Sequence, residues 1–210
     1  MYLGRAKKLC HQLEMKVRGF IAERCDRSVI KDFVEQWHYS KSINGVKSKY
    51  CFQLLNGEEL IGAAIFAEPA TKGVDVHYST TNPKGVIEFR RLCCIDATPK
   101  NTESFFIGQC LRWLRHHTDL EICVSYSDLT YGHKGTIYKA SNFACLGQVK
   151  PQKLIRFNGK LYHDRCLRVR YNGTLKPFAQ RLNDAMGSGT AVFEMSQAKN
   201  IYVYPLRDRA

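Results

Sequence analysis

Nowhere in this chain do two cysteines stand in a Cys-x-x-Cys spacing, although nine cysteines are spread through its 210 residues. Zinc sites and redox dithiols thereby lose their usual ligand spacing. Only Cys93 and Cys94 are close, and adjacent cysteines seldom bridge or share a metal. Reduced, mostly buried thiols in a cytoplasm are the expectation. Apolar runs fall far short of the roughly 18 residues a membrane helix needs, so no membrane partner is expected. The opening stretch MYLGRAKKLCHQLEMKVRGF has scattered charges and no apolar core, so it does not read as a signal peptide. No glycine-rich cofactor loop and no Asp-Pro-Pro-Tyr occurs, which argues against an adenine methyltransferase. A nuclease would want several clustered carboxylates, and the most suggestive stretch offers one.

What is abundant is positive charge. The sequence holds 32 Lys and Arg against 19 Asp and Glu, a formal net charge of +13. Such a field concentrates polyanions and speeds their capture. Residues 150–170 hold seven of the cations and a single acid, Asp164. Lys153, Arg156, Lys160, Arg165, Arg168 and Arg170 are expected to form a basic hairpin that positions double-stranded DNA without reading its sequence. The alternative is a solvated basic surface. A membrane surface trails, because no amphipathic anchor accompanies the charge.

Patterning predicts mixed α/β structure. Ile30, Phe33, Val34 and Trp37 recur at helical spacing, with Asp26 or Ser28 available as a cap. Residues 49–69 read as two strands joined by Asn56-Gly57, a turn that needs positive φ at both positions. A strand at 85–96, a helix from about Asn101–Ser104, and an apolar strand LEICVSYSD make a β-α-β unit with a parallel pair. KGTIYKASNF reads as a short helix, a second hairpin turns at Asn158-Gly159, and the tail ends in a helix and a strand-like NIYVYPL. The expected division is a catalytic domain over 1–171 and a C-terminal extension over 172–210, packed on or beside it. Oligomeric state is left open, a homodimer included.

SYSDLTYGHKGTIYKASNF, residues 125–143, sets a carboxylate, a histidine and three tyrosines around two glycines where the apolar strand ends. In parallel or mixed sheets that end forms the ligand crevice. Asp128 could accept an N–H from a weakly nucleophilic amine and take up a proton during attack, or simply brace a turn. Gly132 and Gly135 are expected to supply positive φ and close backbone approach.

The element order resembles the GNAT acetyltransferase superfamily. A closer resemblance is to the bacteriophage Mom proteins, carried by WHYSKS (37–42), EFRRLCC (88–94), the helix start at Ser104, and residues 125–143. The GNAT pyrophosphate signature Arg/Gln-x-x-Gly-x-Gly/Ala is absent. The resemblance implies a GNAT-like mixed central sheet with flanking helices. It also implies transfer of a carbamoylmethyl or related acyl-derived group to adenine N6 in DNA, which shields the DNA from restriction. The donor it implies is acetyl-CoA or a related acyl-CoA.

On that resemblance Asp128, Tyr138, His38 and Tyr39 are the catalytic candidates. Arg91, Ser104 and Ser125 are the donor-binding ones. Iron(II) is a further cofactor of the family, with His38, Tyr39 and Asp128 as candidate ligands. Each has a plainer reading too: Tyr138 as a packed aromatic, His38 as a helix-end residue satisfying carbonyls, Arg91 in a surface ion pair. Tyr126, Tyr131 and Phe143 are available to stack on an extruded base, or to fill the core. Two other classes stay in play: an N-acetyltransferase for a protein or small amine, and a non-catalytic DNA-binding shield.

Overall fold

Period-two patterning does most of the building. A computed structural model of the chain describes residues 17–207, and most of the stretch read for a signal peptide lies outside the described residues. Strands β1 (Phe20–Cys25), β2 (Ser48–Asn56), β3 (Glu59–Ala67) and β4 (Val86–Cys94) pair antiparallel in sequence order. Helix α1 (Arg27–Trp37) follows β1, a short α2 (Val74–Tyr78) lies between β3 and β4, and α3 (Thr102–His117) follows β4. The β2–β3 hairpin forms as expected, but its turn is Gly57-Glu58: Asn56 closes β2 opposite Glu59, and of the expected pair Gly57 alone has positive φ, +60°.

Alternation divides the apolar side chains between two faces. Cys51, Ala63, Ile65, Ala67 and Cys93 pack with Ile30 and Val34 of α1. Phe52, Leu54, Ala64, Phe66, Ile87 and Phe89 pack with Phe106, Ile107, Cys110, Leu111 and Leu114 of α3. Each fully buried Val, Leu, Ile or Phe among them contributes about 1.5–3 kcal/mol. Helix α3 returns the chain to β5 (Ile122–Asp128), which runs parallel to β4 as expected.

After β5 come α4 (Thr136–Ala140), β6 (Ala144–Val149) and, at the end of the chain, β12 (Lys199–Pro205). The sheet order is β1-β2-β3-β4-β5-β12-β6, a mixed seven-stranded sheet with flanking helices. Strands β1 and β6, both short and at the sheet's edges, were not expected from the sequence.

The chain divides into two compact units, and the division does not fall at residue 171. Of the described residues, the first comprises 17–126, 135–146 and 201–207; the second comprises 127–134 and 147–200. The last strand is not part of an appended extension. Tyr202 and Leu206 enter the main core, while Ile201 and Val203 pack with Val86, Ile122 and Val124 on the other face. A strand buried on both faces belongs inside a sheet, and β12 is an interior strand.

The second unit has its own three-stranded sheet, β11-β7-β8, from Val192–Met195, Lys153–Phe157 and Lys160–His163. It also has a small hairpin, β9 (Arg170–Tyr171) and β10 (Thr174–Leu175), and helix α5 (Pro177–Gly187). Its core is Ile155, Leu182, Ala185 and Ala191. The basic strand expected after Gly159 stops at His163 and becomes a 3-10 turn, Asp164–Arg168. The cause is local: His163 Nδ1 accepts the Arg165 amide, Asp164 pairs with Arg168, and Cys166 and Leu167 turn inward onto the core. Arg165 and Arg168 therefore sit on the turn and Arg170 on β9. Among the described residues no helix is long and apolar enough to cross a membrane, and the eight described cysteines are free thiols.

Candidate active site

Strands β4 and β5 stay together for only four residues, Val86–Phe89 against Ile122–Ser125. Beyond that rung β4 runs on to Cys94 beside β3, and β5 runs on to Asp128, without pairing to each other. A bulge drives the separation. Ile65 of β3 faces Arg91 while the next residue, Phe66, faces Phe89, so Arg90 is the extra residue. Bulges raise the local twist and bend the strand that carries them.

At the apex of this fork Ser125 is fully buried, and its Oγ donates to the Phe89 carbonyl at 3.0 Å. Tyr138 is also hydrogen-bonded to Ser125. Burial pushes the Tyr138 phenol up to about 12, with the Ser125 hydrogen bond acting in the opposite direction. Its ring stacks on Tyr202 with centroids 4.9 Å apart and meets Phe89 edge-on at 6.2 Å. Gly135 makes this stack attainable: a Cβ there would lie 2.2 Å from the Tyr202 Oη, and its φ is +76°. Gly132 also has φ +76° and ends the 3-10 turn after Asp128, as expected of both glycines.

Arg91 lies across from Ile65 and therefore shares the α1 face of the sheet. Its Nη1 donates to the Arg90 carbonyl at 2.9 Å, while its Nε is buried without a hydrogen-bond partner. Burial lowers the guanidinium's proton affinity, and Tyr39 works against that shift. Tyr39 also bears on Tyr138. The structure thus groups Tyr39, Arg91, Tyr138 and Ser125 around the fork. Arg90, by contrast, is the arginine in an ion pair, 3.2 Å from Glu88.

His38 ends α1 and is 4% exposed, with its ring 4.3 Å from that of Tyr39. Its backbone amide donates to the Val34 carbonyl, and its Nδ1 accepts the Ser40 amide at 3.1 Å. That acceptance puts the ring proton of the neutral imidazole on Nε2. Ser104 is in the first turn of α3, on the opposite face from Arg91, and its Oγ donates back to the Asn101 carbonyl at 3.0 Å. Asn101 adopts a left-handed conformation and provides no side-chain cap, so no side chain there satisfies the first-turn amides.

Asp128 belongs to the second unit. Its Oδ1 accepts the Thr130 amide at 3.0 Å, and its Oδ2 lies 3.0 Å from Lys199 Nζ. Two further links tie the same turn to the approach of β12: Gln197 N–H to Thr130 Oγ1 at 3.0 Å and Asn200 Nδ2 to Ser127 Oγ at 3.3 Å. The turn-bracing role foreseen for Asp128 is real. It leaves one lone-pair direction on each oxygen, since a carboxylate offers about four. Lys199 was missed in the sequence, where nothing marks a lysine 71 residues downstream as its partner.

Iron does not fit. Among the described residues no three of the His, Cys, Asp and Glu side chains form a group that could hold a metal. His38 Nδ1 already accepts the Ser40 amide, and its Nε2 carries the ring proton. Of the aromatics considered for a flipped base, Phe143 is core, 5% exposed. Tyr126 is half-buried, with its hydroxyl pushed up by burial and by Glu88, and Tyr131 is exposed.

The six basic candidates are not equivalent. Arg156 is held by both oxygens of Glu194 at 2.6 and 2.9 Å, and Arg168 by Asp164 at 3.0 Å. Lys153 Nζ sits 3.7 Å above the Phe193 ring, and Arg170 Nη1 donates to the Gly173 carbonyl at 2.8 Å. Lys160 and Arg165 are exposed.

A model of the Mom protein family matches residues 19–210. Methylcarbamoylase Mom from Escherichia phage Mu is 28% identical over 138 residues, covering 64% of this chain and 56% of that protein. The chain thus aligns with little more than half of that relative's length. Spermidine N-acetyltransferase from Vibrio cholerae, solved with CoA and spermine, superposes with a TM-score of 0.50 at 9% identity, over 90% of this chain and 96% of that one. Ribosomal-protein-S18-alanine N-acetyltransferase from Escherichia coli does so with a TM-score of 0.50 at 8% identity, over 91% and 96%. At such identities the likeness is one of fold, and the fold is that of the GNAT acetyltransferases.

Proposed function

Since the chain belongs to the Mom protein family, we propose that it is an acyltransferase-type enzyme. It transfers a carbamoylmethyl or related acetamido-type group to adenine N6 in double-stranded DNA, and so shields phage DNA from restriction. The observation that carries this reading is the β4–β5 fork with a neutral phenol at its apex. Tyr138, raised to about 12, keeps its proton on Oη across the physiological range and can give it to a departing group.

Bound acyl-CoA would supply an activated acyl carbon: N6 bonds to that carbon as the C–S bond breaks, which gives the acetamido-type product, and the departing thiolate takes up the Tyr138 proton. The residues present fit such a donor. The orphaned Nε of Arg91 is a buried donor that costs stability until an acceptor arrives. The amides of the first turn of α3, at Ser104, suit an anion through the helix dipole. Ser125 fixes the apex through the Phe89 carbonyl. Tyr39 and His38 line the α1 side of the fork. Asp128 offers its remaining lone pairs to the amine, whose own pair is delocalised into the purine ring. Lys199 and the Thr130 amide hold the carboxylate in one orientation.

The surplus of positive charge supports DNA over a protein or small amine as acceptor, and the fork supports an enzyme over a passive shield. Expressing the chain in bacteria and digesting the genomic DNA to nucleosides should reveal a heavier deoxyadenosine by mass spectrometry. Asp128→Ala should abolish it and leave duplex affinity intact. Unmodified deoxyadenosine from a well-expressed wild-type chain would refute the reading.

A further inference from the structure

Five consecutive residues of the second unit, Arg170–Thr174, are all exposed. They make up most of the β9–β10 hairpin, whose ladder has two rungs, Tyr171 with Thr174 and Arg170 with Leu175. Its turn is Asn172-Gly173, both at positive φ, +47° and +77°. That is a third Asn-Gly hairpin, and only Leu175 in it is even half-buried.

A two-rung hairpin is not stable alone, and ordering each residue's backbone costs about 1–2 kcal/mol. This one is nonetheless clamped at both ends. The Arg170 guanidinium donates to the Gly173 carbonyl across the turn, and the Lys176 amide donates to the Val169 carbonyl at the base, 2.9 Å away. The clamp presents one large side chain to solvent: Tyr171, 70% exposed, with Val169, 39% exposed, behind it. Around it the chain from Arg165 to Lys176 carries Arg165, Arg168, Arg170 and Lys176 and no acid.

We infer that this hairpin is a DNA probe, in which Tyr171 stacks on bases of the duplex while Arg165, Arg170 and Lys176 take the flanking phosphates. The chemistry decides the partner. A lone exposed apolar side chain needs no explanation, but a preset aromatic ringed by cations matches the two things a nucleic acid offers together, a π-face and a phosphate. Acidic protein surfaces offer carboxylates in place of phosphates and no regular run of π-faces. An enzyme that acts on N6 must draw the base from the stack, and aromatic or apolar wedges inserted between base steps support that opening. The inference rests on the proposed function for its purpose, and on the hairpin alone for its binding claim.

The test uses the full chain and a fluorescein-labelled 30-base-pair duplex, with anisotropy read at several salt concentrations. Tyr171→Ala should weaken binding about 5- to 150-fold, the range of one base–aromatic stack. It should leave the slope of log Kd against log salt unchanged, because it removes no charge. Arg170→Ala should lower that slope by about 0.9. Tyr171→Phe should bind as wild type, and Tyr171→Trp should show tryptophan quenching on adding duplex, beyond that of Trp37 and Trp113 in the parent. Wild-type affinity in Tyr171→Ala, or no added quenching in Tyr171→Trp, overturns the inference. Equal losses in the Ala and Phe variants overturn it as well. The two readings fail separately: modified deoxyadenosine with an indifferent Tyr171 sinks only the probe, and a Tyr171-dependent duplex affinity without modified deoxyadenosine sinks only the enzyme.

Discussion

The two compact units of this chain place their polar groups in opposite ways. In the first, the functional side chains are half-buried or buried and tied to one another: Tyr138 to Ser125, Ser125 to the Phe89 carbonyl, Arg90 to Glu88. In the second, which is less than a third of the chain, eleven Lys and Arg stand against four Asp and Glu, a surplus of seven out of thirteen. Most of those cations are exposed. Buried networks fix geometry and protonation, which chemistry needs; exposed cations act over distance and yield to salt, which suits capture of a polyanion. Substitutions in the two units should therefore report on different quantities, turnover in the first and salt-dependent affinity in the second.

The sharpest break should come at Tyr138. Tyr138→Phe keeps the stack on Tyr202 and removes only the proton donor, so turnover should fall about 10²- to 10⁴-fold with duplex affinity unchanged. The same change has a pH signature. A phenol raised in the folded state is still protonated where the unfolded chain's phenol, near pH 10, has ionised, so it favours unfolding as pH climbs from about 10 to about 12. Wild type should lose thermal stability over that window more steeply than Tyr138→Phe. Parallel melting curves would remove the claim that this phenol is buried in its neutral form.

Next in size is Gly135→Ala. The added Cβ meets the Tyr202 ring at 2.2–2.5 Å on a backbone at φ +76°, which should cost about 2–4 kcal/mol of stability, read as a lower urea midpoint. The equivalent change at Gly132 meets nothing within 4 Å and should cost only the price of its positive φ, about 1 kcal/mol. Equal losses at the two sites would mean that the Tyr138–Tyr202 stack does not constrain Gly135.

How much of this was legible beforehand follows the same division. The hairpin at Asn56-Gly57, the α1 stripe and the β-α-β unit were readable, because each rests on local chemistry: a turn that needs positive φ, an apolar period of 3.6, a strand buried on both faces. Tyr138 and Ser125 stood out through a family motif, and Asp128 also by its place at the end of an apolar strand. Long-range facts were hidden. That NIYVYPL slots between β5 and β6 depends on which faces its neighbours leave uncovered. That Lys199 pairs with Asp128 depends on the same crossover. The basic strand after Gly159 was misjudged because its cations alternate like a strand, while His163 and Asp164 set up a turn. The Asn172-Gly173 hairpin was readable in principle, since its dipeptide is the one that marked the other two turns.

Lys199 offers a middle-sized test within the second unit, where an effect on turnover would depart from that unit's rule. Lys199→Met removes the cation from Asp128 Oδ2 and leaves the Thr130 amide on Oδ1. Turnover should drop about tenfold as the carboxylate loses its fixed orientation, with KM for DNA little changed, and Lys199→Arg should restore much of it. In an Asp128→Asn background the lysine should no longer matter, because it acts only through that carboxylate. Additive losses would instead assign Lys199 to DNA.

The smallest effect distinguishes cations that are paired inside the protein from those that are not. Arg156 is held by both oxygens of Glu194, so part of its charge is spent within the sheet. Glu194→Ala releases it and also removes an acid from a basic surface. Duplex affinity should rise about twofold to fivefold, the range set by an exposed ion pair, and the salt slope should steepen. Lys160→Ala should do the reverse, lowering the slope by about 0.9. If Glu194→Ala left affinity and slope both unchanged, the β7–β11 face would lie away from the phosphates, and capture would fall to the turn and hairpin from Arg165 to Lys176.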